Sequence, residues 1–425
     1  MSRFRILIRA FTARRDVMHS LILAKLLEKD GHKVIVASIR QFEFAVKFWK
    51  PHAIIFNVQG LSKYLKKISP DSVRILVPGE GGELGKFSLA QVWKRLSEEH
   101  VTSTDLFFFW NKKSLDESLR IFPFIKKNST CLAGNPKFDV IKSSKKILTN
   151  TNKIGFPTRF NLINYHDGQN YSFRSLMPQR YEFTHFLTYA AMYGFHCMMK
   201  IIEQILINTE LKISIRPHPL ESVDSYYEYV LPEFEKDFKN RIEIDNSLCV
   251  VQWLNQVDAI VTPTTTSIYE AYMLDKIIIS IDKIAKISKF NNTYNKLSST
   301  LEESCIMPTS IKELLSLVKN IKKIKRKKCK KLEKYLSEYH MAFEKQSSNL
   351  IISKKIQDYL KKQKFKAKLH FPKALVNLGD KYLFYREMRK NKYHWNNNYH
   401  YGFHEKPKLL DEIVINIERN NNKKV

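Results

Sequence analysis

Cysteine is sparse in this chain. Five occur in 425 residues, at positions 131, 197, 249, 305 and 329, with no C-x-x-C pair and no histidine at zinc-finger spacing. That excludes a disulfide framework and a structural zinc site, and reduced thiols in a cytosolic protein are the simplest reading. Long apolar runs are missing too. Met1–Arg5 leads straight into Ile6-Leu7-Ile8 without a signal core, and no stretch reaches the roughly 18 to 20 apolar residues that span a bilayer. Neither secretion nor membrane spanning is therefore expected. No G-x-G-x-x-G accompanies the first strand and no Walker sequence occurs anywhere, so neither NAD nor a P-loop nucleotide is indicated. There is no internal repeat. Acidic residues are in deficit: 42 Asp and Glu face 72 Lys and Arg, for a formal net charge of +30. Such a balance points to a polyanionic partner, whether nucleic acid, an anionic membrane surface or a phosphorylated substrate. Lysine excess in a chain also rich in Asn and Ile equally follows from an AT-biased coding sequence.

What is present suffices for packed cores. Apolar residues make up 44% and aromatics 12%, and the length exceeds what one hydrophobic core usually serves, so two domains are expected. Short apolar runs ending in polar turns read as strands at Phe4–Ala10, Val34–Ser38, Pro51–Asn57, Val73–Val77 and Asp105–Trp110, and again near Cys131. Further strands read at Lys153–Phe160, Lys212–Arg216, Ile242–Ile244, Asp258–Thr262 and Lys276–Asp282. Helical patterns separate them, which predicts an α/β chain with parallel, doubly wound sheets. Ligands of such sheets bind beyond the carboxyl ends of the strands. The polar stretch Lys142–Asn152 sets the expected boundaries: residues 1–150 as one domain, 151–310 as a second, and 311–425 as a basic helical extension. Within 310–368, nineteen Lys and Arg against five Asp and Glu carry +14 of the net charge. The run Lys322–Lys331 and the aromatic-basic stretch Tyr382–Tyr401 suit an anionic membrane surface; a solvated helix face is the other reading of the run.

Two passages carry the chemistry. In Lys212–Ser222, K-I-S-I-R-P-H-P-L-E-S, a strand ends in a proline-broken turn that bears Arg216 and His218. In Asp258–Ala271, D-A-I-V-T-P-T-T-T-S-I-Y-E-A, a second strand delivers Thr264, Thr265, Thr266 and Ser267. Thr266 or Ser267 reads as a helix N-cap, and Glu270 falls three residues after Ser267, as a capping box requires. Hydroxyls, an imidazole, a guanidinium and a helix N-terminus suit an anion. A third loop, Pro78–Glu83, contains three glycines, with Glu80 and Glu83 as its carboxylates. Glu80 reads either as a solvated turn residue or as a general base that takes the proton of an acceptor hydroxyl.

The two passages, in this order, resemble the HP motif and the downstream Ser/Thr motif of GT-B transferases that use cytidine-nucleotide donors, a group including bacterial sialyl-, Kdo- and glycerophosphate transferases. More of the chain, to about residue 285, resembles bacterial surface-carbohydrate (capsule or lipopolysaccharide) biosynthesis proteins. That likeness lies in Arg15-Asp16, Pro78-Gly-Glu80-Gly, Asp105…Trp110-Asn, Gly134-Asn-Pro-Lys-Phe-Asp139, Ile154-Gly-Phe…Arg159-Phe and Arg216-Pro-His-Pro219. Two departures stand out: Asp275-Lys276-Ile277 replaces the family's G-K-P, and the Ser-rich turn is Thr-rich. The resemblance implies two Rossmann-like domains facing across a cleft, an N-terminal acceptor domain and a C-terminal nucleotide-sugar domain. Arg216 and His218 would bind donor phosphate, Thr264 to Ser267 and Glu270 would line the nucleotide site, and Glu80, with Asp16 second, would be the base. Arg15, Glu83 and Arg159 would lie toward the acceptor. No metal or other cofactor is implied, since cations and a helix end take that role and no strand-flanked D-x-D occurs. The implied activity is transfer of a nucleotide-activated sugar, favouring a CMP-sugar-type donor, to a glycan or lipid-linked acceptor hydroxyl. The implied location is cytoplasmic, peripheral at the inner face of the cytoplasmic membrane. Two alternatives remain: a non-catalytic nucleotide- or glycan-binding GT-B-like protein, and a nucleic-acid-binding protein. Against the latter, no RRM, HTH, KH or zinc-knuckle pattern is present, so no specific nucleic acid is expected.

Overall fold

The computed structural model describes residues 3–10, 12–57, 59–79, 98–144, 151–164, 181–238, 240–263, 265–285, 300–365, 370–379, 382 and 409–422. These form two compact units: the described residues up to Ser144 with those from Lys334 onward, and the described residues between them up to Glu333. In the first unit, β1 (Arg5–Arg9), β2 (Lys33–Ala37), β3 (Ala53–Phe56), β4 (Val73–Leu76), β5 (Leu106–Phe109) and β6 (Thr130–Leu132) lie in the order β2-β1-β3-β4-β5-β6. Every pairing is parallel. Strands such as Ala-Ile-Ile-Phe and Leu-Phe-Phe-Phe are buried at every position, as covering both faces of a parallel sheet demands. Alternate residues serve opposite faces. Leu7, Ile54, Phe56, Phe107 and Phe109 pack with Phe42 and Trp49 of the helix Ile39–Trp49. Ile6, Ile8, Ile55, Ile75 and Phe108 pack with Leu23 and Leu27 of the helix Ala13–Lys29.

The second unit contains β7 (Lys153–Pro157), β8 (Lys212–Arg216), β9 (Ile242–Ile244), β10 (Ala259–Thr262) and β11 (Ile277–Ser280), all parallel, in the order β11-β10-β7-β8-β9. Its core includes Ile154, Phe156, Ile213 and Ile215, with Met198, Ile201, Ile202 and Ile205 of the helix Tyr181–Asn208. Gly155 is required by close approach, because a Cβ there would lie 2.8 Å from the Trp253 ring. That ring is itself anchored, its Nε1–H donating to Ser214 Oγ at 2.9 Å.

The stretch 311–425, read from the sequence as one extension, is shared between the units. The helix Ile311–Lys319 packs Leu314 and Val318 into the second core. The helix Ser348–Lys361 instead completes the first core with Ile352, Ile356 and Leu360. Its dock is the stretch Gly134–Asp139. Gly134 takes φ +78°, and a Cβ there would meet Ser348 Oγ at 2.9 Å. Asn135 Nδ2 lies 3.2 Å from His340 Nδ1, and Asp139, fully buried, accepts hydrogen bonds from the start of the helix. The expectation that Lys322–Lys331 is helical is corrected: a short 3-10 turn, Ile321–Lys323, gives way to non-helical chain until the helix Lys330–His340 begins. Six cations in the seven residues 322–328, with Ile324 alone among them, leave no apolar periodicity for a helix to bury. No helix among the described residues is long and apolar enough to cross a membrane.

Candidate functional site

The order β11-β10-β7-β8-β9 reverses direction between β7 and β10, a topological switch point where doubly wound sheets hold ligands. The carboxyl ends of β10, β7 and β8 are neighbours; Thr265, Thr266 and Ser267 follow the first, Thr158 and Arg159 the second, and Arg216 closes the third with His218 in the turn after it. Thus the two passages singled out in the sequence flank one strand end. Thr262 Oγ1 lies 3.2 Å from Pro157 O, tying the exits of β10 and β7 together.

His218 is half-buried in a turn closed by a hydrogen bond from Glu221 N–H to its carbonyl at 2.8 Å. Its Nδ1 accepts from the Leu220 N–H at 3.2 Å. Acceptance at Nδ1 in the neutral ring assigns the proton to Nε2, which makes Nε2–H a donor. The backbone N–H of His218 donates to Thr158 Oγ1 at 2.9 Å. Thr158 in turn donates to Glu221 Oε2 at 2.7 Å, and Tyr226 Oη donates to the same oxygen at 2.6 Å. Glu221 Oε1 accepts the Phe160 N–H. Glu221, Thr158 and Tyr226 are all buried. Glu221 and Thr158 both lie inside passages marked in the sequence, Lys212–Ser222 and Lys153–Phe160, yet neither was given a role there; the available signal was a carboxylate two residues after His218-Pro219.

Arg216, expected on donor phosphate, is turned elsewhere. Its guanidinium is buried, ion-paired with Asp245, donates to Ser247 Oγ and Ser247 O at 3.0 Å each, and lies over the Trp253 ring. It fastens the exit of β9 to that of β8. The expected capping box is also absent: the helix Ser267–Met273 has Thr266 as N-cap without a side-chain cap bond, so Ser267 is the first helical residue and Glu270 the fourth. Thr265 and Glu270 are buried, while Thr266 and Ser267 are half-buried. Arg159 is exposed. Lys276, in the departing Asp275-Lys276-Ile277 turn, is buried and donates from Nζ to Val257 O at 2.9 Å, and burial holds its pKa below the usual lysine value.

In the first unit, the order reverses between β1 and β3, and Asp16 sits at that reversal. It is fully buried. Its Oδ2 accepts from the Thr12 N–H at 3.0 Å and from Asn57 Nδ2 at 3.2 Å, while Oδ1 accepts from Arg15 Nε at 3.0 Å. Burial alone would raise its pKa, but Arg15, His19 and the Thr12 N–H outweigh it and hold the carboxyl below the usual range. A carboxylate so engaged is a weak base, and its evident work is to shape the turn entering the helix Ala13–Lys29. Glu80, Glu83 and Thr264 lie outside the described residues. None of the five cysteines is in a disulfide, and burial pushes the Cys305 thiol up to about 12, far from a reactive thiolate.

No protein-family model matches the chain, and no curated protein matches it. Solved structures do. The wall teichoic acid polymerase TagF is similar with a TM-score of 0.52 and 11% identity, covering 85% of this chain and 90% of that one. A TagF variant soaked with CDPG gives 0.50 and 13%, over 85% and 89%. The UDP-GlcNAc 2-epimerase of Methanocaldococcus jannaschii gives 0.48 and 13%, over 84% and 100%. At these identities the TagF likeness shows the fold and nothing finer: two Rossmann-like α/β domains of the GT-B type.

Proposed function

We propose that this chain is a GT-B glycosyltransferase that moves a sugar from a nucleotide-activated donor, with a cytidine nucleotide favoured, to a hydroxyl of a surface-polysaccharide or lipid-linked acceptor. One observation carries the reading. A histidine held as the Nε2–H tautomer stands across β7 from a turn of hydroxyl side chains, at the switch point of a parallel sheet. Such donors stabilise negative charge growing on a departing nucleotide phosphate. The CDPG-soaked TagF variant supports a cytidine-nucleotide donor by analogy of fold. In this reading His218 binds the leaving phosphate and Thr265, Thr266 and Ser267 line the nucleotide. Arg216 only holds the loop beneath them. Glu80 is the base on the acceptor side, since Asp16 is already engaged as an acceptor.

The test is a thermal-shift screen of CMP, CDP, UDP, GDP and ADP, followed by donor-consumption assays. A nucleotide at ~100 times its dissociation constant stabilises by about 2.7 kcal/mol, so CMP or CDP should raise the melting temperature above the other bases. Glu80→Gln should keep that shift and lose transfer. Equal, negligible shifts with all five nucleotides would sink the proposal, and a shift without any transfer would favour the non-catalytic binding protein.

The proposal extends to peripheral contact with anionic lipid through the basic run. Three of its cations have other work. Arg326 pairs with Asp275 and lies 5.0 Å over the Tyr272 ring, Lys327 donates to Cys305 O at 3.1 Å, and Lys331 pairs with Glu303 at 2.7 Å. Lys322, Lys323, Lys325, Lys328 and Lys330 are exposed, and clustered lysines are drawn to an anionic leaflet. Changing these five to Gln should abolish salt-sensitive sedimentation with phosphatidylserine-containing vesicles while leaving activity on a soluble acceptor analogue intact. Sedimentation equal to the parent's would end the membrane inference.

A further inference from the structure

We propose that Glu221 is a positioning residue for His218, acting through the Thr158 hydroxyl. The inference rests on the reading of His218 as the donor-phosphate ligand and adds the device that holds it. The geometry is a directed chain. A carboxylate accepts only, so Glu221 Oε2, 2.7 Å from Thr158 Oγ1, takes the single hydroxyl proton. The other candidate acceptor, Arg216 O, is farther away at 3.5 Å. With its proton committed, Thr158 Oγ1 offers a lone pair to the His218 N–H at 2.9 Å. The hydroxyl thus links the exit of β7 to the turn after β8. That same turn closes on itself from Glu221 N–H to His218 O and carries the Leu220 N–H that fixes His218 Nδ1 as an acceptor. Losing the Thr158 hydroxyl unties the His218 N–H from the exit of β7 and loosens the turn that fixes the ring's tautomer.

Glu221 also takes the Tyr226 hydroxyl at 2.6 Å, on a branch separate from the Thr158–His218 link. The two branches separate positioning from plain stability. Because Glu221→Ala removes the acceptor of several buried donors and can simply unfold the protein, the test uses Thr158→Val, Thr158→Ser and Tyr226→Phe. Histidine ring ¹⁵N resonances of the nucleotide-free protein report the His218 tautomer, and transfer kinetics report turnover. Thr158→Val should give averaged Nδ1 and Nε2 resonances and lower kcat on the order of 10²-fold at nearly unchanged donor KM, the cost expected of a misplaced group. Thr158→Ser should restore both, and Tyr226→Phe should change neither even where it lowers the melting temperature. If Thr158→Val keeps the Nε2–H tautomer, or if Thr158→Val and Tyr226→Phe lose turnover in step with their melting temperatures, Glu221 is merely structural and the proposal falls. If the parent transfers nothing from any donor, the transferase reading fails while the tautomer comparison still decides the role of Glu221.

Discussion

His218→Ala is expected to cut transfer by about 10²–10³-fold, the loss seen when one preorganised donor to a developing negative charge is removed, equivalent to about 2.7–4 kcal/mol of transition-state stabilisation. The fold should survive. His218 is half-buried, its backbone N–H donates to Thr158 Oγ1 and its carbonyl accepts the Glu221 N–H, and alanine keeps both bonds. Nucleotide affinity should fall far less than kcat, because the imidazole's contribution is largest when charge builds on the leaving phosphate. His218→Asn, whose side-chain amide also donates, should recover part of the rate. Near-parental turnover by His218→Ala would remove the central chemical claim, and an equal loss in affinity and turnover would recast the residue as a ground-state binder.

Much of the architecture behind that prediction was legible in the sequence. Alternating or continuous apolar runs such as Ile213-Ser-Ile215 and Ala259-Ile-Val261, each followed two positions on by proline, mark buried parallel strands, and the strand ends agree with the structure to within three residues. Strand order was not legible. Nothing local says that β10 pairs with β7, yet this pairing brings the Thr265–Ser267 turn to the exit beside His218. Arg216 illustrates the same limit. An arginine at a strand end reads as a ligand cation until Asp245 and Ser247 arrive from the exit of another strand and claim its guanidinium. Glu221 drew no reading because two of its partners, Thr158 and Phe160, lie some sixty positions away. The cap stayed open between Thr266 and Ser267 because the two are chemically near-equivalent there; backbone geometry decides helix ends, and it places the cap at Thr266.

The stretch Gly134–Asp139 stood out in the sequence through its resemblance, and the structure gives that stretch a mechanical role. Asp139→Ala is expected to cause the largest loss of stability of any single change considered. The helix Ser348–Lys361 begins with backbone N–H groups that have no partner inside the helix. Asp139 accepts the Ser348 N–H at 3.1 Å and the Asn349 N–H at 2.7 Å. The Ser347 hydroxyl donates to it at 2.7 Å while accepting the Leu350 N–H at 3.2 Å, so one carboxylate satisfies the first turn directly and by relay. Asn349 Nδ2, at 2.9 Å, and Lys142 Nζ, at 3.1 Å, add further donors. Alanine would leave this group of buried donors unmet, each costing about 1–3 kcal/mol. Relaxation and entering water limit the sum to about 3–5 kcal/mol, the usual loss when one partner of a buried charged pair is removed. Because that helix supplies Ile352, Ile356 and Leu360 to the first core, the first unit should melt on the order of 10 °C lower. Hydrogen exchange should show protection lost first across Ser348–Lys361 and the β1–β3 region, with the second sheet spared. Asp139→Asn, which keeps one carbonyl acceptor, should lose about half as much. A melting temperature for Asp139→Ala within 2 °C of the parent's, with the helix still protected, would mean that apolar packing alone holds the helix to the first core and that the Gly134–Asp139 dock is dispensable.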